Sequence, residues 1–148
     1  MKDQNKVIEN LIETLKDGQE GFKQAAESVK DPQLKSLFEE YSRQRARFAI
    51  ELRSQAQSPD ERDSKMSGSA AGALHRGWIN LKSALTSGDD HAILAECERG
   101  EDSAVEEARK ALNDGLSAHV QEIVARQYAQ IREAHDRIKQ LRDASKKS

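Results

Sequence analysis

The sequence predicts an all-α fold, and three observations support it. Charged residues make up 34% of the 148 residues and aromatic residues only 4%, a balance that favours long helices over a sheet. Apolar residues recur at helical spacing through nearly the whole chain. Only two prolines are present, and proline breaks helix interiors. We expect residues 1–148 to form a single domain, since a chain of this length buries about two-thirds of its unfolded surface.

The first part of the chain predicts a helical hairpin. The apolar stripe of the first helix covers about residues 4–29. Asp31 suits the N-cap of a second helix and Pro32 its first helical position. The second helix is predicted over about 32–57. Because only a tight turn separates the two helices, we expect them to be antiparallel.

A second hairpin is predicted near the end of the chain. Its first helix covers about residues 90–113, and Gly115 is a plausible stop signal just beyond it. Ser117 suits the N-cap of the last helix, which is predicted over about 117–143. These two helices should also be antiparallel.

The connection between the hairpins, residues 58–89, is too long for a turn. It begins with a Ser-, Gly- and Asp-rich linker and contains a short amphipathic helix predicted over about 70–86. A connection of this length can cross the whole bundle, which predicts a ferritin-like four-helix bundle with one long crossover. An up-down-up-down bundle with a fifth helix at its side is the alternative.

Each long helix interrupts its apolar stripe once with a polar residue. The interruptions lie at matching distances from the two tight turns, so we expect them to meet in one central polar layer, with two further polar residues one turn away. The predicted layer comprises Gln19, Gln44, Arg47, Glu101, Gln127 and Gln130.

This layer lies where ferritin-like di-iron proteins build their metal site from a Glu on each of two helices and a Glu-x-x-His on each of the other two. Carried over position by position, the single glutamates fall on Gln19 and Glu101, and the Glu-x-x-His pairs fall on Gln44/Arg47 and Gln127/Gln130. Only one of these six residues is a suitable ligand. We therefore expect no di-iron centre.

Two residues of the layer carry charge, and they have opposite signs. Glu101 is the one carboxylate, whereas the guanidinium of Arg47 cannot bind a metal ion and would repel it. The chain contains no Glu-x-x-His or Asp-x-x-His motif that a shifted register could bring into place. The layer therefore predicts an ion pair between Arg47 and Glu101, with the glutamines bonded to one another.

A mononuclear metal site is the remaining metal-binding alternative, with iron as the cofactor. His135 lies at the edge of the apolar stripe of the last helix, and Glu96 or Glu98 of the preceding helix could lie near its height. The candidate ligands are Glu20, Glu98, Glu101 and His135. An interhelical hydrogen bond of His135 is the alternative interpretation.

Four segments of the chain carry a family resemblance: LIETLKDGQEGFKQAAESVKDP, SAAGALHRGWINLKSAL, ILAECERGEDSAVEEARKAL and RQYAQIREAHDRI. Together they resemble the bacterial ferritin-like family called domain of unknown function 2383, over nearly the whole chain. The resemblance implies a ferritin-like fold and no established activity. Members of that family tend to have an acidic residue at the position of Gln19, so this glutamine further reduces the expected capacity to hold a metal ion.

Composition and charge limit the remaining classes of function. The net charge of −2 predicts no strong positive field that would attract nucleic acid. The two terminal lysines of the tail RIKQLRDASKKS add little affinity for DNA, so DNA protection is a minor alternative. No apolar run reaches the roughly 20 residues of a membrane span, and the start MKDQNK does not resemble a signal peptide. The one cysteine, Cys97, fits a reducing cytoplasm.

The combined expectation is a cytoplasmic, non-enzymatic bundle without a cofactor. It would act through self-association, as a dimer, or through a protein partner, with a stress-related role as one option. The competing hypothesis is a metal-binding oxidase, or a protein that handles peroxide or iron.

Overall fold

The computed structural model describes residues 4–56 and 77–145. All regular elements in these ranges are α-helices, which confirms the predicted all-α helical bundle for the described residues. None of the described helices is both long and apolar enough to cross a membrane. The helices are α1 (Gln4–Ser28), α2 (Pro32–Arg53), α3 (Leu81–Thr86), α4 (Asp90–Leu112) and α5 (Ala118–Ser145).

Helix capping accounts for the turn between α1 and α2. The Asp31 side chain accepts a hydrogen bond from the backbone N–H of Gln33 at 2.8 Å, and Pro32 occupies the start of α2. The carboxylate of Asp90, the first residue of α4, accepts the backbone N–H groups of Lys30 and Asp31 at 2.9 and 3.0 Å. The end of α1 is therefore fixed beside the start of α4.

The directions of the four long helices follow from such contacts. At the opposite end of the bundle, the backbone N–H of Ser117 donates to the side chain of Gln4 at 2.6 Å. Helix α1 packs antiparallel to both α2 and α4, and α4 packs antiparallel to α5. Helices α2 and α4 therefore point the same way.

The predicted short helix over about 70–86 is wrong for residues 77–80, which form a bend and a turn. Helix α3 begins only at Leu81, and residues 70–76 lie outside the described part of the chain. Tertiary contacts explain the difference: Trp78 is buried between α1 and α4, and the backbone N–H of Asn80 donates to the Glu96 side chain at 2.9 Å.

The hydrophobic core consists of two clusters, one toward each end of the bundle. One includes Leu15 of α1 and Phe48 of α2, and the other includes Phe22 of α1 and Phe38 of α2. In each long helix the boundary between the clusters falls near the middle. This boundary is the height at which the sequence predicts a polar layer.

Candidate functional site

A buried ion pair occupies the centre of the bundle. The Arg45 guanidinium on α2 and the Glu101 carboxylate on α4 are both 0% exposed. Nη1 of Arg45 donates to Oε2 of Glu101, and Nη2 donates to Oε1, each at 2.6 Å. This two-point geometry is the strongest form of side-chain ion pair, because both carboxylate oxygens receive a charge-assisted hydrogen bond.

Three neighbours shape the space around Arg45. A Cβ atom added at Gly18 of α1 would lie 3.4 Å from Nη1 and 3.5 Å from Cγ, so position 18 is in van der Waals range of the arginine side chain. The Phe22 ring centroid lies 5.4 Å from the guanidinium carbon, within cation–π range. The remaining donor, Nε, bonds to the Gln44 side-chain oxygen at 3.2 Å. All three nitrogens of the buried guanidinium therefore have acceptors.

The predicted pairing of Arg47 with Glu101 is wrong. The Arg47 side chain is 62% exposed, and its carboxylate partner is Glu40 at 3.8 Å. Arg45, two residues earlier, takes the inward position instead. The physical reason is the register of α2: the buried stripe of this helix lies on the face that carries position 45, and position 47 is turned to solvent.

Gln127 is the second buried residue of the predicted layer, with 3% exposure. Its side-chain nitrogen donates to the Phe48 carbonyl at 3.3 Å and to the Glu51 carboxylate at 2.8 Å. Glu51 also pairs with Arg126 at 2.9 Å, and this hydrogen bond lowers the pKa of Glu51. These bonds link α5 to α2.

The other predicted glutamines lie outside the buried centre. Gln19 is half-buried, and its backbone carbonyl accepts the Ser42 hydroxyl at 2.8 Å. Gln44 donates to the exposed Gln130 at 3.3 Å across the gap between α2 and α5. The polar residues therefore do not form one closed layer: the centre is the Arg45–Glu101 pair, and the glutamines connect helices around it.

Trp78, in the segment before α3, inserts between two glycines. A Cβ atom at Gly21 of α1 would lie 2.7 Å from the indole, and one at Gly100 of α4 would overlap it. The indole meets the Phe22 ring edge-on, with centroids 5.3 Å apart. Two helix-interior glycines thus form a slot that anchors this segment to the bundle.

Cys97 and Glu96 lie buried on α4, about one turn before Glu101. Cys97 is fully buried, and burial, with the Glu101 and Glu96 carboxylates nearby, raises the pKa of its thiol well above the usual value. Burial also raises the pKa of Glu96, whose carboxylate accepts the Asn80 N–H. The thiol therefore remains protonated at neutral pH, and thiolate chemistry is disfavoured.

The candidate metal ligands separate into two groups. Glu20 is exposed and bonded to Gln24 of its own helix, and Glu101 is occupied by Arg45. Glu98 and His135, by contrast, lie together with Asp102, a residue that the sequence analysis missed. The spacing could have identified Asp102, because it lies one helical turn after Glu98 and therefore on the same face of α4.

These features define a class of protein: an all-helical bundle whose centre is a buried arginine–glutamate pair. The chain belongs to the family described as Domain of unknown function (DUF2383), whose model matches residues 3–114. The match includes α1 to α4 and ends before α5. Among curated proteins, none matches this chain in sequence.

Proposed function

We propose that this protein is a ferritin-like bundle with a degraded metal site, and that it acts in the cytoplasm by association rather than by catalysis. The observation that carries the proposal is the Arg45–Glu101 pair. It occupies the height at which a di-iron bundle would hold its ions.

The helix directions support the ferritin-like arrangement. Helices α1 and α2 form one antiparallel hairpin, α4 and α5 form another, and α2 and α4 run the same way. A bundle of two hairpins joined by one long return connection has the ferritin-like order, whereas an up-down-up-down bundle would have α2 and α4 antiparallel.

Electrostatics oppose a dinuclear site at this centre. Two iron ions require several anionic oxygens, because carboxylates offset their charge and replace lost water ligands. Of the six predicted layer residues, Glu101 alone has a carboxylate, and both of its oxygens already accept hydrogen bonds from Arg45. An ion placed there would have to displace a fully buried guanidinium and leave it without a partner.

The experiment compares metal content and ferrous-ion oxidation in three proteins: wild type, Glu101→Gln, and Glu106→Gln as an exposed control on the same helix. We expect fewer than two tightly bound ions per chain after growth with added iron and manganese. Oxidation should be no faster than in buffer and equal in all three proteins. Two bound ions per chain, or oxidation that Glu101→Gln alone abolishes, would support the competing oxidase hypothesis and overturn this one.

We propose self-association as the mode of action, with exposed apolar side chains as the candidates for its contact. Among the described residues, the large hydrophobic side chains with most of their surface exposed are Ile50 on α2 and Ile79 before α3, at 64% and 62%. We expect a dimer by sedimentation velocity, weakened by Ile50→Lys. A wild-type protein that stays monomeric at high concentration would contradict self-association and leave a different protein as the partner.

A further inference from the structure

Three potential metal ligands converge on the outer side of the α4–α5 hairpin. Glu98 and Asp102 stand one turn apart on α4, and His135 faces them from α5. One ligand atom from each residue lies within 4.8 Å of the other two. A modest closure of these side chains would bring all three atoms onto one ion, since Zn–N and Zn–O bonds are about 2.0–2.2 Å long.

The orientation of His135 resembles that of a metal-binding histidine. Its Nδ1 lies 3.1 Å from the Asp136 carboxylate, and its Nε2 lies 2.6 Å from the Asp102 carboxylate. Histidines that bind metals usually donate their second ring N–H to a carboxylate or carbonyl, which fixes the ring. Asp136 is placed to serve in that way, while Nε2 is directed toward Asp102.

Glu98 is the buried carboxylate of the cluster, with 9% of the residue exposed. Nη1 of Arg142 forms an ion pair with its Oε1 atom at 2.7 Å, so a metal ion would have to displace this arginine. Arg142 also bonds to Asp143 at 3.0 Å, and its side chain is one-third exposed. It can therefore move away from Glu98 and keep a carboxylate partner.

We propose that Glu98, Asp102 and His135 form a mononuclear site for a divalent transition-metal ion, with Zn²⁺ as the best fit. One imidazole and two carboxylates are borderline-to-hard donors of the kind that zinc accepts. The Asp102 side chain is 63% exposed, so water can complete the coordination. The ion would tie α4 to α5 on the face away from the central pair. The proposal does not depend on the proposed function.

The test uses untagged protein freed of metal with a chelator, titrated with zinc chloride by calorimetry. We expect about one ion per chain in the wild type. Asp102→Asn and His135→Gln should each weaken binding at least tenfold, since even outer-shell changes cost about 10–100-fold. Two matched controls should bind like wild type: His91→Gln, a histidine of α4 outside this cluster, and the exposed Glu106→Gln.

A direct measurement on the wild type keeps the test independent of how the variants fold. Zinc should shift the side-chain ¹⁵N resonance of His135 Nε2 and leave His91 unchanged. Absence of zinc binding, or binding that survives both ligand substitutions, overturns the proposal. The Glu101→Gln protein should keep the zinc ion, so failure of this site and failure of the non-catalytic function give different results.

Discussion

Removing the positive half of the central pair should strongly destabilise the protein. Arg45→Met keeps much of the side-chain length but leaves the fully buried Glu101 carboxylate without its two hydrogen bonds. Breaking a buried pair on one side costs about 3–5 kcal/mol, which is a fifth or more of a stability of roughly 5–15 kcal/mol. At about 2–4 °C per kcal/mol for a chain of this size, the melting temperature should fall by about 6–20 °C.

Urea unfolding followed by far-ultraviolet circular dichroism measures this loss. Arg47→Met is the matched control, since the exposed Arg47 should change stability by less than about 0.5 kcal/mol. The double variant Arg45→Met/Glu101→Leu should recover most of the loss, because apolar replacement of a whole buried pair is often neutral or stabilising by about 1–4 kcal/mol. A loss below about 1 kcal/mol for Arg45→Met would refute the reasoning, because breaking a buried pair should cost several times more.

Substitutions at Gly100 and Glu96 test the anchoring of the segment before α3. Gly100→Ala should cost about 1–3 kcal/mol by overpacking against Trp78 and should alter the fluorescence of this single tryptophan; in a Trp78→Ala background it should be harmless. Burial raises the pKa of Glu96. The contribution of Glu96 to the free energy of unfolding is therefore fully present below its unfolded-state pKa, and it is lost as the pH rises through its folded-state pKa. Glu96→Gln should remove this pH dependence in urea unfolding, whereas Glu96→Ala should cost about 1–3 kcal/mol by leaving the Asn80 N–H without an acceptor. An unchanged pH profile for Glu96→Gln would contradict this assignment.

The long helices could be read from sequence because local signals agree with the tertiary structure. Their observed bounds lie within a few residues of the predicted ones, and Asp31 with Pro32 begins α2 as its capping chemistry predicts. Apolar spacing and capping act over one or two turns. They are therefore visible in a single sequence.

The central cation was predicted at Arg47 instead of Arg45, because the Glu-x-x-His spacing of a di-iron site was carried over onto Gln44 and Arg47. A signal was present: Phe38, Arg45 and Leu52 are seven residues apart, and all three are buried on one face of α2. Glu101, which does lie in the buried centre, was placed by its own helix pattern.

The segment before α3 could not be predicted, because long-range contacts determine its conformation. Its amphipathic spacing suggests a helix, yet the slot formed by Gly21 and Gly100 holds Trp78 in a non-helical stretch. Glu98 and His135 were named as candidate ligands, but the addition of Asp102 and the exclusion of Glu20 and Glu101 depend on the relative rotation of the helices. The relative rotation of two helices, or a slot between them, cannot be predicted from the apolar spacing within one helix.

A crystal structure of the protein grown with iron and zinc, with anomalous scattering data at both metal edges, tests the central claim most directly. The account predicts an intact Arg45–Glu101 pair with no anomalous peak beside Glu101, and a single peak at His135. Two peaks about 3.5–4 Å apart, the spacing of a two-metal site, with Glu101 as a ligand and Arg45 displaced, would contradict it.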